Sequence, residues 1–126
     1  MSMNLVASNP ADLLAKIKKA IDDKKVETWS YDADGDFTHT PDQWANKAWM
    51  RPQVSQGMLI FGILGQKGVV MTKVIYGVYH GRFLEMLLTH FDLEFSSALT
   101  TALGSGPDNY KTAPPKHAAA SRRSSA

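Results

Sequence analysis

The stretch that most constrains this chain is Gly57 to Phe91, GMLIFGILGQKGVVMTKVIYGVYHGRFLEMLLTHF. It carries the densest apolar sequence, and its hydrophobic period changes part-way along. Met58–Leu64 and Val69–Tyr79 read as two strands, with Gly65–Gly68 as the turn between them. From Gly81 onward Phe83, Leu84, Leu87, Leu88 and Phe91 recur at spacings of three and four, which is a helical stripe. The stretch therefore predicts a long hairpin running into an amphipathic helix, with the rest of the chain covering or extending that unit.

Before it, residues 1–8 read as a flexible start. Asn9-Pro10-Ala11-Asp12 is a helix start: Asn9 is a capping residue, Pro10 suits the first helical position, and Asp12 faces the positive end of the helix dipole. Leu13, Leu14, Ile17, Ala20 and Ile21 make the buried stripe of that helix. Val26–Tyr31 reads as a strand, Asp34-Gly35 as a two-residue hairpin turn, and Asp36–Thr40 as the returning strand. Thr40-Pro41-Asp42-Gln43 resembles a capping box and predicts a short helix to about Asn46. Lys47–Val54 reads as a further strand. Pro52 lacks a ladder donor, so this strand belongs at an edge or stops there. After the long helix, Ser96–Leu103 is a last turn or short helix, and Gly104-Ser105-Gly106-Pro107 ends the ordered part.

These elements predict a two-layer α+β domain over residues 9–103. It has four to five mostly antiparallel strands, with the N-terminal and C-terminal helices packed on one face. About 100 residues is enough to bury a core without metal or disulfides. There is no cysteine, which excludes disulfides, thiolate metal sites and cysteine nucleophiles and suits a reducing compartment.

The formal charge of +2 is unevenly distributed. Residues 1–103 hold ten basic and eleven acidic side chains, whereas residues 104–126 hold Lys111, Lys116, Arg122 and Arg123 against Asp108. The last segment reads as a disordered basic tail, and the nearly neutral body offers no broad field for specific nucleic-acid binding. No segment resembles a signal peptide or a membrane span, so a cytoplasmic location is the default expectation.

The acidic run Asp32-Ala33-Asp34-Gly35-Asp36 suggests a calcium loop, but Phe37 and Gln43 stand where that loop requires glycine and glutamate. A solvated hairpin turn is the better reading. His39, His80 and His90 have no metal-ligand spacing, and no metal or cofactor is expected. The group with most chemistry is Tyr79-His80-Gly81-Arg82 with Glu85, at the expected strand-to-helix junction. There His80 is a candidate general base and Arg82 a candidate holder of a carboxylate or phosphate. His39 is a third candidate catalytic group. Against this stands a structural reading in which His80 caps the turn and Arg82 pairs with Glu85 or Asp92.

Trp44, Trp49 and Arg51 are the candidate interface residues, because aromatics and arginine dominate binding surfaces. The leading expectation is a small interaction, accessory or inhibitor module that binds itself, as a homodimer, or another protein. The alternative is a small hydrolase or ligand-binding enzyme that uses the His80, Arg82, Glu85 and His39 group on a small anionic ligand.

Overall fold

The computed structural model describes residues 2–112. In chain order its elements are β1 (Met3–Val6), α1 (Pro10–Asp22), β2 (Trp29–Tyr31), β3 (Phe37–His39), β4 (Ala48–Ser55), β5 (Met58–Gly65), α2 (Lys73–Phe91) and β6 (Ser97–Thr100). The strands form one six-stranded sheet in the order β2-β3-β4-β5-β1-β6, and each neighbouring pair is antiparallel. The two helices pack against it, which makes the fold two-layer α+β with more strands than the four or five expected.

The hairpin of the apolar stretch lies one strand earlier than its sequence suggests. β5 pairs along its whole length with β4, from Ala48↔Gly65 to Ser55↔Met58. Gln56-Gly57 is therefore the turn, and Gly57 adopts φ +74°, a conformation that favours glycine. Val69–Tyr79 is not a strand. Thr72 caps α2, its side chain accepting from the Ile75 amide at 3.2 Å. Ile75, Tyr79, Phe83, Leu87 and Phe91 stand four residues apart and fall on one helical stripe, of which the last four are buried. Val74, Val78, Gly77 and Gly81 are weak helix formers, but each costs at most about 1 kcal/mol. Burying one large side chain stabilises by roughly 1.5–3 kcal/mol, so the packed stripe prevails.

Residues 1–8 are not simply a loose start. Met3–Val6 is an interior strand between β5 and β6, and the Met3 and Leu5 side chains are fully buried. Four residues are too few to show a period in the sequence, yet alternation sends Met3 and Leu5 into the core and Asn4 and Val6 outward.

The boundary at Leu103 also moves. Asp108 Oδ1 accepts from the Ile63 amide at 2.9 Å. Asn109 and Lys111 bridge in parallel to Leu64 and Val70, alongside β5 beyond the point where β1 stops. Gly62 permits this approach, since a Cβ there would collide with the Pro107 carbonyl. The rest of the expected disordered tail, 113–126, lies outside the described residues.

The first hairpin is shorter than expected. β2 and β3 have three residues each, and Tyr31↔Phe37 closes a loop of Asp32–Asp36 rather than a two-residue turn. Asp32 Oδ1 organises it by accepting from the Asp34 and Asp36 amides, each at 3.0 Å, and Gly35 supplies φ +83°. Pro41–Asn46 is a turn rather than a helix: the Pro41 carbonyl accepts from the Trp44 and Ala45 amides, and Asn46 then adopts φ +58°. Pro52 behaves as its chemistry requires. β3 pairs with β4 only at Phe37↔Met50, so the proline lies beyond the point where a neighbouring strand would need its N–H.

Both helices feed one core. Leu13 and Ile17 of α1 join Tyr79, Phe83, Met86, Leu87 and Phe91 of α2 over Met3, Leu5, Met50, Leu59, Phe61 and Ile63 of the sheet. Phe83 packs edge-on to Phe61, with ring centroids 4.7 Å apart. No helix among the described residues is long and apolar enough to cross a membrane.

Candidate functional site

The core's aromatic end supports the most chemically equipped cleft. Trp29, on β2, is buried and stands opposite His39 of β3 in the antiparallel register. Their rings stack at a centroid distance of 4.5 Å. Phe83 and Tyr79 of α2 meet the same indole edge-on at 4.8 and 5.6 Å. The Tyr79 hydroxyl donates to the Trp44 carbonyl and lies 3.1 Å from Thr38 Oγ1. His39 is thus clamped in place, only 2 % exposed.

His39 Nδ1 lies 2.7 Å from the Thr28 carbonyl oxygen. A carbonyl only accepts, so Nδ1 carries the proton and, in the neutral ring, Nε2 presents its lone pair. That lone pair points towards Arg82 Nη1, 3.5 Å away, a loose contact by hydrogen-bond standards. Burial, reinforced by the Arg82 charge, holds the His39 pKa below its ordinary value, against the opposing pull of the Thr28 carbonyl and Glu85.

Helical spacing supplies the opposite wall. Arg82, Glu85, Met86, Thr89 and His90 follow one another at three and four residues and line one side of a cleft of about 310 Å³. Val26, Glu27, Thr28, His39 and Pro41 line the other. Among the described residues neither Arg82 nor Glu85 belongs to an ion pair, so the Arg82 pairing with Glu85 or Asp92 that the sequence suggested is not formed.

The structure thus brings together His39, Arg82 and Glu85 but separates them from His80. In a helix, residues two apart point to nearly opposite sides. His80 is accordingly buried on another face of α2, with Nδ1 donating to the Tyr76 carbonyl at 2.9 Å. The expected partnership of His80 with Arg82 required the strand-to-helix junction that the structure replaces with continuous helix. His90, Thr89 and Glu27 are cleft residues that the sequence reading passed over. His90 was accessible to it, eight residues after Arg82 on the same helical face. Glu27 and Thr28 were not, because only the tertiary fold lays that connection against α2.

The candidate interface residues divide: Trp49 and Arg51 alternate onto the outward face of β4, whereas Trp44 packs against the core. Trp44 is half-buried in the turn after β3, with its carbonyl engaged by Tyr79. Trp49 is half-buried on β4 opposite Leu64. Arg51 is tied to Asp36 by two hydrogen bonds. That pairing also bears on the acidic loop. Asp32, Asp34 and Asp36 offer oxygens within 4.8 Å of one another, but the Asp36 carboxylate already has a guanidinium as counter-charge.

No family model matches this chain, and neither a curated protein nor a solved structure matches it significantly.

Proposed function

We propose that this protein is a self-associating interaction module whose contact surface is the β6 edge of the sheet, rather than the Trp44–Arg51 region. The observation that carries this reading is the chemistry of that edge. β6 ends the strand order, and from Phe95 to Pro107 the sequence FSSALTTALGSGP contains no charged residue. Natural edge strands are usually blunted by lysine, proline or a bulge. Here Leu99 is 61 % exposed on β6, opposite Asn4 and diagonal to Val6, which is 44 % exposed on β1.

An uncharged edge is compatible with its own twofold copy, because no like charges meet on pairing. Antiparallel pairing of β6 with a second β6 continues the sheet and covers Leu99. Both helices feed the core on one side, so alternate strand residues such as Val6 on β1 and Ile60 on β5 belong to the other face, which adds apolar area on the two strands nearest β6.

Light scattering on the full chain tests this. The expected molar mass is near twice 13.9 kDa, falling to the monomer value for Leu99→Lys at equal concentration. A wild-type monomer at tens of micromolar would overturn the proposal.

A second reading, a small-ligand-binding protein, is supported by one specific observation: Arg82 and Glu85 face a cleft beside His39 without pairing with each other. The site supplies no cysteine, and burial, with the Arg82 charge second, makes His39 a weaker base, so binding is favoured over hydrolysis.

A further inference from the structure

We infer that the cleft between β3 and α2 receives a small aliphatic amino acid as its zwitterion, with the ligand carboxylate on Arg82 and its ammonium between Glu85 and His39. The inference rests on the second reading above, that this cleft binds a small molecule.

Three features carry it. A guanidinium and a carboxylate stand three residues apart on one helical face, the spacing at which such side chains pair readily. Yet neither belongs to an ion pair among the described residues. A ligand with both charges satisfies both groups, whereas a simple anion meets Arg82 but is repelled by Glu85. The third group, His39, is fixed by the Thr28 carbonyl as an Nδ1–H tautomer. Its neutral ring keeps Nε2 as an acceptor whose present neighbour, Arg82 Nη1, stands at a loose 3.5 Å. A ligand ammonium therefore competes for that lone pair once a ligand carboxylate engages Arg82, whereas an anion finds no donor there. Between these polar groups the cleft is lined by Val26, Pro41 and Met86, a surface for an aliphatic side chain. The volume of about 310 Å³ accommodates a ligand of that size.

The arrangement also predicts the chemistry's direction with pH. The charged or titratable groups around His39 Nε2 are Arg82, Glu85, Glu27 and His90. Protonating His39 would convert its acceptor into a donor beside the ligand's ammonium, so affinity falls as His39 becomes protonated.

The test is calorimetry together with histidine ¹⁵N NMR on the full chain. The probes are L-leucine, L-leucinamide, isocaproate and inorganic phosphate. L-leucine is expected to bind and to perturb the His39 Nε2 resonance. Loss of either charge, in L-leucinamide or isocaproate, should weaken binding by about tenfold or more, as expected when a charged hydrogen-bonding partner is removed. Glu85→Gln should abolish the preference for L-leucine over isocaproate, and Arg82→Gln the preference over L-leucinamide. Both side chains are exposed, so the folded state is expected to persist in each variant. If isocaproate or phosphate binds as tightly as L-leucine, the zwitterion assignment is overturned while the cleft remains a ligand site. If no probe binds at millimolar concentration or perturbs His39, both the inference and the ligand-binding reading fall.

Discussion

The Asp36 carboxylate, only 5 % exposed, receives two hydrogen bonds from one arginine: Arg51 Nε donates to Oδ1 at 2.9 Å and Nη2 to Oδ2 at 2.7 Å. This bidentate pair ties the acidic β2–β3 loop to β4, where backbone pairing is reduced to Phe37↔Met50. The Arg51 side chain is half exposed, so solvent screens part of the attraction. The larger effect lies in what its removal would leave, a nearly buried carboxylate without a counter-charge. Arg51→Gln is expected to cost about 2 kcal/mol, below the 3–5 kcal/mol typical of a fully buried pair. Urea denaturation provides the check, and a loss under about 0.5 kcal/mol would show the pair to be an ordinary surface contact.

Leu5 tests whether the N-terminal strand is integral. It is fully buried in β1, opposite Leu59 on one side and Ala98 on the other. Leu5→Ala should destabilise by about 2–5 kcal/mol, as deletion of a core aliphatic does. A flexible start would tolerate the change without effect, so the denaturation midpoint separates the two descriptions.

Gly62 tests the placement of residues 105–111. Gly62→Ala sets a methyl group against the Pro107 carbonyl, and backbone cannot move aside as a flexible side chain can. We expect a loss of about 1–3 kcal/mol by overpacking, with faster amide exchange at Ile63 and Asn109, whose hydrogen bonds join the segment to β5. Unchanged exchange at both amides would contradict the packing.

His39 predicts an acid-side instability. Its folded pKa lies below the ordinary 6.5 because burial, first, and the Arg82 charge, second, disfavour the imidazolium. Between the folded and unfolded values the unfolded chain binds more protons, so stability rises with pH through that window. The contribution is fully present above about pH 6.5 and is lost as pH falls through the lowered folded value. Stability measured from pH 7.5 down to pH 5 should decline in the wild type, with a smaller decline in His39→Gln. Identical slopes would remove His39 as the source.

Much of the architecture was readable from local chemistry. Asn9 and Pro10 announced α1, and Pro52 announced a strand without a full neighbour. Gly35 marked the β2–β3 connection, but Gly65–Gly68 was read as the central hairpin turn that Gln56-Gly57 makes; Phe83, Leu87 and Phe91 marked the second half of α2. Its first half was hidden because Val69–Val78 is rich in β-branched residues that also alternate plausibly. The i, i+4 series from Ile75 to Phe91 was present in the same letters, but periodicity alone does not say which series finds a partner surface. For the site, Arg82 and Glu85 were identifiable as neighbours on α2, and His39 was a candidate without a location.

By itself the sequence determined the α+β class, the position of α1, the existence of strands around Trp29, Phe37, Met50 and Phe61, and an uncharged run after Phe95. These follow from short-range rules of capping, turn conformation and side-chain period. Only the tertiary structure decided that Met3–Val6 enters the middle of the sheet, that Asp108–Lys111 lies along β5, that His80 turns away from Arg82, and that His39 and Glu27 face it. Each depends on contacts between residues distant in sequence. Those contacts are selected by the collective burial of one core, and no local pattern records the partner they will meet.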